Sequence, residues 1–161
     1  MAKEIITMKI AIFQKKEIRK IIYNNEWWFS VTDIIEALSN STDVKQYIKR
    51  MRQRDVEFNS YWGTNCTPLE MVAKDGKKRK ITSANTEGIL RIIQSIPSPK
   101  AEPFKRWLAK VGYERIQEVE DPELATKRTK MLYKLKGYSE NWIEKRMRGI
   151  AIREELTDEW Q

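Results

Sequence analysis

The spacing of apolar positions along the chain changes register several times. Residues 8–13 (MKIAIF) and 18–23 (IRKIIY) are short isoleucine-rich runs of strand length, joined by a polar connection over 14–17. Asn24-Asn25 is a turn signal, and Trp27-Trp28-Phe29 resumes with strong β formers, which predicts a strand followed by a hairpin. Successive side chains in a strand point to opposite faces, so the adjacent tryptophans do not both face one core. One of them is left for a helix surface, such as the C-terminal helices, or for a contact surface. Ser30 then reads as an N-cap, with Asp33 placed to reach back to its amide. Ile34, Ile35 and Leu38 give the first helix its apolar face, and Ser39-Asn40-Ser41-Thr42 breaks it, because these side chains compete for backbone hydrogen bonds.

A second helix follows, capped by Ser41 or Thr42. Val44, Tyr47, Ile48 and Met51 recur at i, i+3, i+4 and i+7, one stripe of a 3.6-residue period. Lys45, Lys49 and Arg52 cluster on the other side with Gln46 and Gln53, flanked by Arg50 and Arg54. Lysine and arginine meet phosphates, and arginine and glutamine also read base edges. The bland alternative is a solvated charged face on a core helix.

Residues 55–68 (DVEFNSYWGTNCTP) are rich in turn formers and read as an irregular loop. Phe58, Tyr61 and Trp62 tie that loop to the core, with stacking on unpaired bases as the alternative. Residues 69–73 and 80–84 flank Lys74-Asp75-Gly76-Lys77, a hairpin signal. Its tip sets Lys74, Lys77, Lys78, Arg79 and Lys80 against Asp75, a crowding of like charge that calls for an external anion, as in a wing beside a groove. A charged turn guarding an edge strand is the competing reading.

Asn85 or Thr86 caps a largely apolar helix containing Ile89, Leu90, Ile92, Ile93 and Ile96, stopped by Pro97-Ser98-Pro99. The next helix begins near Lys100, where Pro103 is tolerated in the first turn. Phe104, Trp107, Leu108 and Val111 form its buried stripe, while Lys105 and Arg106 are further candidates for phosphate contact. Asp121-Pro122 starts another helix ending at Gly137, and Ser139 caps one containing Trp142, Ile143, Met147 and Ile150. Thr157-Asp158-Glu159 reads as one more helix start, which implies a chain cut short or an abrupt end. The fold class is α+β: small antiparallel hairpins packed with helices, a helix-turn-helix-like pair plus a basic hairpin, then a helical extension over 116–161.

Composition narrows the chemistry. The 161 residues are 40% hydrophobic and 34% charged, enough for a packed core. No apolar run approaches the roughly 20 residues that span a bilayer, and the N-terminal stretch has no apolar signal segment. The single cysteine, Cys66, makes no internal disulfide and fits a reducing cytosol, so a cytoplasmic location is expected. Histidine is absent, which removes Ser-His-Asp triads, Cys-His nucleophiles and His-ligated zinc. No enzymatic activity, metal or cofactor is expected. A nuclease built on Asp33 and Glu36 is disfavoured, since Asp33 already has a capping task. The net charge of +8 is segregated: residues 1–110 hold 21 Lys/Arg against 12 Asp/Glu, and residues 111–161 hold 10 against 11. Segregated positive charge is the footprint of a polyanion partner, nucleic acid first. A membrane partner is not expected, because the basic helix commits its apolar face to a core.

Three stretches carry a family likeness: WWFSVTDIIEAL, LEMVAKDGKKRKITSANTEGILRIIQSIPSPKAEPFKRWLAKVGYERI, and the tail GYSENWIEKRMRGIAIREELTDEW. They resemble the Bro-N family, the N-terminal domain of baculovirus repeated-ORF proteins, also found in prophage antirepressors. The likeness covers roughly residues 8–115, and the tail resembles the extension of prophage-type members. It implies a DNA-binding domain over residues 1–115 and a role in gene regulation of phages or mobile elements. Double-stranded DNA is the expected partner, and either the basic helix or the basic hairpin reads bases while the other clamps phosphates. The alternative is a protein-interaction module that binds a repressor, or a second copy, through C-terminal helices carrying Tyr133, Trp142 and Trp160.

Overall fold

A computed structural model describes residues 18–160. The strand expected over 8–13 lies outside the described residues. The described chain falls into two compact units, 18–109 and 110–160, divided within one long helix.

In the first unit, strands β1 (Lys20–Tyr23) and β2 (Glu26–Ser30) form a hairpin whose turn residues Asn24 and Asn25 both take positive φ, 50° and 62°. Asparagine tolerates this left-handed region better than most residues. Trp28 is half-buried, edge-on to Tyr23 at 5.7 Å, whereas Trp27 stays exposed beneath the Lys20 ammonium, 4.8 Å from its ring centre. Helix α1 (Val31–Ser39) follows without a loop. The Ser30 hydroxyl accepts from the Asp33 amide at 3.3 Å, as expected of an N-cap. The Asp33 carboxylate departs from the expected box: it turns to Arg19, taking Nε and Nη2 at 2.7 Å and the Arg19 amide at 3.0 Å. The Ser30 amide donates instead to the Arg19 carbonyl at 2.9 Å.

Helix α2 (Val44–Arg54) is capped by Asp43, not by Ser41 or Thr42; Asp43 accepts from the Gln46 amide at 3.1 Å, and Ser41 braces Asp43. Residues 55–68 are not an irregular loop. Val56–Asn65 is helix α3, because Asp55 accepts from the Phe58 amide at 2.9 Å and so caps it, while its own amide donates to the Met51 carbonyl and closes α2. Phe58, Tyr61 and Trp62 at i, i+3 and i+4 are then a helical face, and Phe58 is fully buried.

Strands β3 (Thr67–Val72) and β4 (Lys78–Asn85) make the second hairpin, with Gly76 at φ +79° in the turn. The four antiparallel strands run in the order β1-β2-β4-β3, with β2 and β4 paired only over Trp28–Ser30 and Ser83–Asn85. So short a central pairing lets the sheet curl, and Arg19 on one edge reaches the Val72 carbonyl on the other at 3.4 Å. Asn85 caps helix α4 (Thr86–Ser95) through the Gly88 amide at 2.9 Å. A 3-10 turn (Pro99–Ala101) leads into helix α5 (Glu102–Glu120). One apolar cluster joins the sheet to these helices: Val31, Ile34 and Ile35 of α1, Met51, Phe58, Ile89, Ile92, Ile93 and Phe104 are all buried.

The second unit holds the end of α5, helix α6 (Glu123–Leu135) and helix α7 (Glu140–Asp158). Gly137, at φ +90°, ends α6 and Ser139 caps α7, both as expected. Thr157 and Asp158 do not start a new helix; they complete α7, where the Thr157 hydroxyl bonds back to the Arg153 carbonyl at 2.8 Å. The sequence cue misleads because a threonine hydroxyl serves a helix's last turn as readily as a cap.

Candidate nucleic-acid interface

The basic face begins at the joint between α2 and α3. A single residue, Asp55, separates the two helices and caps both, so they lie against each other. Val44, Tyr47 and Ile48 pack partly and Met51 fully into the core. Lys45, Gln46, Lys49, Arg50, Arg52, Gln53 and Arg54 are thereby turned outward and all are exposed. None of these cations has a carboxylate partner among the described residues. Arg52 and Arg54, in the last turn, also sit well against the negative end of the helix dipole.

Between the helices lies an open hollow of about 400 Å³ lined by Lys45, Ile48, Lys49, Arg52, Gln53 and Asn59. Three cations and two amides thus converge on one concavity with an apolar floor, which suits an oxygen-rich anion. Gln46, Arg50 and Arg54 lie outside this lining. Arg52 donates Nε to Asn59 Oδ1 at 2.7 Å, and its guanidinium carbon sits 5.7 Å from the centre of the Trp62 ring. Trp62 meets buried Phe58 edge-on at 5.8 Å. Neighbouring Cys66 is held inert by the same packing. Burial pushes its thiol up to about 11, against the opposing charge of Arg52.

The hairpin differs from its sequence reading. Its positive charge does not wait wholly for an external anion. Arg79 pairs with Asp75, and Lys74 pairs with Glu36 of α1 at 3.4 Å. Asp75 turns back on its own hairpin because its carboxylate also accepts from the Lys77 amide at 3.1 Å. Lys77, Lys78 and Lys80 keep exposed ammonium groups without an ion pair among the described residues. Lys105, half-buried, and Arg106, exposed, lie on α5 and do not line the hollow.

Asn59 and the Trp62 support were missed from the sequence. The signal was there: Asp55 followed by apolar residues at 58, 61 and 62 is a cap with a helical stripe, masked by Asn, Ser, Gly and Thr between them. Below α1, the Asp33–Arg19 pair is structural. Burial pushes the Asp33 carboxyl up, but hydrogen bonds from the Arg19 side chain and backbone outweigh this and hold it below the ordinary range. The same bond raises Arg19.

Fold and face together define the class, an α+β protein with a tight helix pair carrying segregated, largely unneutralised positive charge. The chain belongs to the BRO family, whose N-terminal domain matches residues 17–120. Bro-N is a regulatory, DNA-binding domain family. No curated protein and no solved structure matches the chain. Among the described residues, no group of three or more acidic or thiol side chains is placed to hold a metal ion, and no helix is long and apolar enough to cross a membrane.

Proposed function

We propose that the protein is a cytoplasmic DNA-binding regulator of the antirepressor type, meeting double-stranded DNA through the α2–α3 face with the β3–β4 hairpin beside it. The observation that carries this reading is the convergence on one hollow of Lys45, Lys49 and Arg52, none of which has a carboxylate partner among the described residues. Four or five phosphate contacts give a log K against log salt slope of roughly −4. Retention of a mixed-sequence duplex from low to moderate salt tests it, and a flat slope or no binding overturns it. Joint replacement of Lys45, Lys49 and Arg52 by alanine weakens binding far more than replacement of exposed Lys127 and Lys130. Arg128 is no neutral control, because it pairs with Glu118 and Glu114.

A second reading, favoured by residues 110–160, is an interaction module for a repressor or a second copy. Tyr113, Ile116 and Val119 are exposed along one side of α5 at 62%, 62% and 71%, and the unit is nearly neutral. Light scattering over a concentration series tests self-association. Mass that stays monomeric, with no repressor captured by the chain, removes this reading.

A further inference from the structure

We propose that Arg52 is the residue of this face that reads sequence, presenting its two terminal amino groups to the paired acceptors on the major-groove edge of a guanine. Lys45 and Lys49 then hold phosphates at the rim of the same hollow. This rests on the DNA-binding reading above and says which group gives that binding its specificity.

The cations of α2 and the hairpin are not equivalent. Lys45 and Lys49 have flexible stems and no partner among the described residues, so each is a mobile point charge. Arg50 and Arg54 likewise have no side-chain hydrogen bond or ion pair among the described residues. Arg79 spends its charge on Asp75, and Lys74 spends its charge on Glu36. Among the described residues, Arg52 is the one cation of this set fixed in orientation by groups that carry no charge. Its Nε is held by Asn59 Oδ1 at 2.7 Å, and its guanidinium lies over Trp62. Asn59 is itself fixed by helix α3, which Asp55 caps, and Trp62 is fixed against buried Phe58. With Nε occupied, the outer edge, Nη1 and Nη2, is the edge left to act, and it has no carboxylate partner among the described residues.

A fixed plane matters for one kind of acceptor more than another. Phosphate oxygens are approached from many directions, so a mobile cation neutralises them adequately, and such contacts carry no sequence information directly. Guanine O6 and N7 lie in one plane and require two parallel donors, the commonest specific contact of arginine. Holding the guanidinium before binding lowers the cost of ordering it for that contact. Gln53 in the same lining supplies an adaptable amide for the neighbouring position. Asn59 is a positioning residue, acting through Arg52.

The test is selection of bound duplexes from random DNA with the full chain. Binding of the selected duplex and of a scrambled duplex is then measured at two salt concentrations for wild type, Arg52→Lys and Asn59→Ala. The expected selected site contains a position that demands guanine. Arg52→Lys keeps the charge but not the fork, so it lowers affinity for the selected duplex about tenfold or more. The scrambled duplex and the salt slope stay within about twofold of wild type, and reselection relaxes that position. Asn59→Ala shifts discrimination the same way by a smaller factor, with an unchanged melting temperature. Equal loss on both duplexes, or discrimination untouched by Arg52→Lys, overturns the assignment and leaves DNA binding standing. So does a wild-type selection with no guanine-dependent position. A wild-type protein that retains no duplex overturns the DNA-binding reading, and the assignment with it.

Discussion

Residues 18–109 and residues 110–160 handle apolar surface in opposite ways. The first unit buries a continuous cluster that reaches from the hairpin base through α1, α3 and α4 to Phe104. In the second, Ile143 is the buried apolar side chain among the described residues, and the Glu118 carboxylate is buried between Arg115 and Arg128. It also holds an aromatic group at the α6–α7 turn, with Tyr138 and Trp142 stacked at 4.1 Å and Tyr133 edge-on to both. Burial contributes roughly 25 cal/mol per Å² of apolar area, so the first unit has far more holding it together. The difference explains where fixed geometry is available. A side chain such as Arg52 is held in one orientation only where its supports rest on a close-packed core. Surface left unburied in the second unit is suited to contact rather than to precise aim.

Variants that enlarge or erase this contrast follow in order of effect. Phe58→Ala removes a fully buried ring under Trp62 and costs about 4 kcal/mol. Urea unfolding measures it, and a loss under about 1 kcal/mol would mean that α3 is not part of the core. Arg19→Ala takes the guanidinium away from the buried Asp33 carboxylate while the residue-19 amide still donates to it, at a cost of about 3 kcal/mol. Because Asp33 titrates below its unfolded value of about 3.9, the pair's contribution is fully present above that pH. It is lost as pH falls through the lower folded value, and Arg19→Ala flattens that acid limb of the stability profile.

Gly88→Ala costs about 2 kcal/mol by overpacking, since the added Cβ would stand 2.9 Å from the Ala84 Cβ where α4 meets β4. Thermal melting reads it. Smallest in stability is the pair Ile116→Ser and Val119→Ser on the exposed side of α5, within about 0.5 kcal/mol. Their effect falls on association, so light scattering that shows the same mass as wild type at high concentration would detach this stripe from any interface.

The two basic elements show how much of the site was legible. Alternation of Val44, Tyr47, Ile48 and Met51 with Lys45, Lys49 and Arg52 fixes which side of α2 faces out, because burial of one stripe leaves the other no choice. The hairpin was legible from Asp75-Gly76, but its charge balance was not. Asp75 pairs with Arg79 four residues away and Glu36 pairs with Lys74 thirty-eight residues away, and no local pattern announces the second of these. Helix α3 was lost for the converse reason. Asn59, Ser60, Gly63, Thr64 and Asn65 favour turns locally, and burial of Phe58 in the core, where α3 meets α2 and α4, overrides that preference.

By itself the sequence determined the α+β composition, the cap-and-stop chemistry at Ser30, Asn85, Gly137 and Ser139, and the segregation of charge into the N-terminal part. Each is a property of neighbouring residues or of simple sums, so it survives without knowledge of the fold. Only the tertiary structure decided that Asp33 belongs to Arg19, that the sheet curls through its short β2–β4 pairing, and that Arg52 is braced by Asn59 and Trp62. These contacts depend on packing directions between elements, which the order of residues along the chain does not specify.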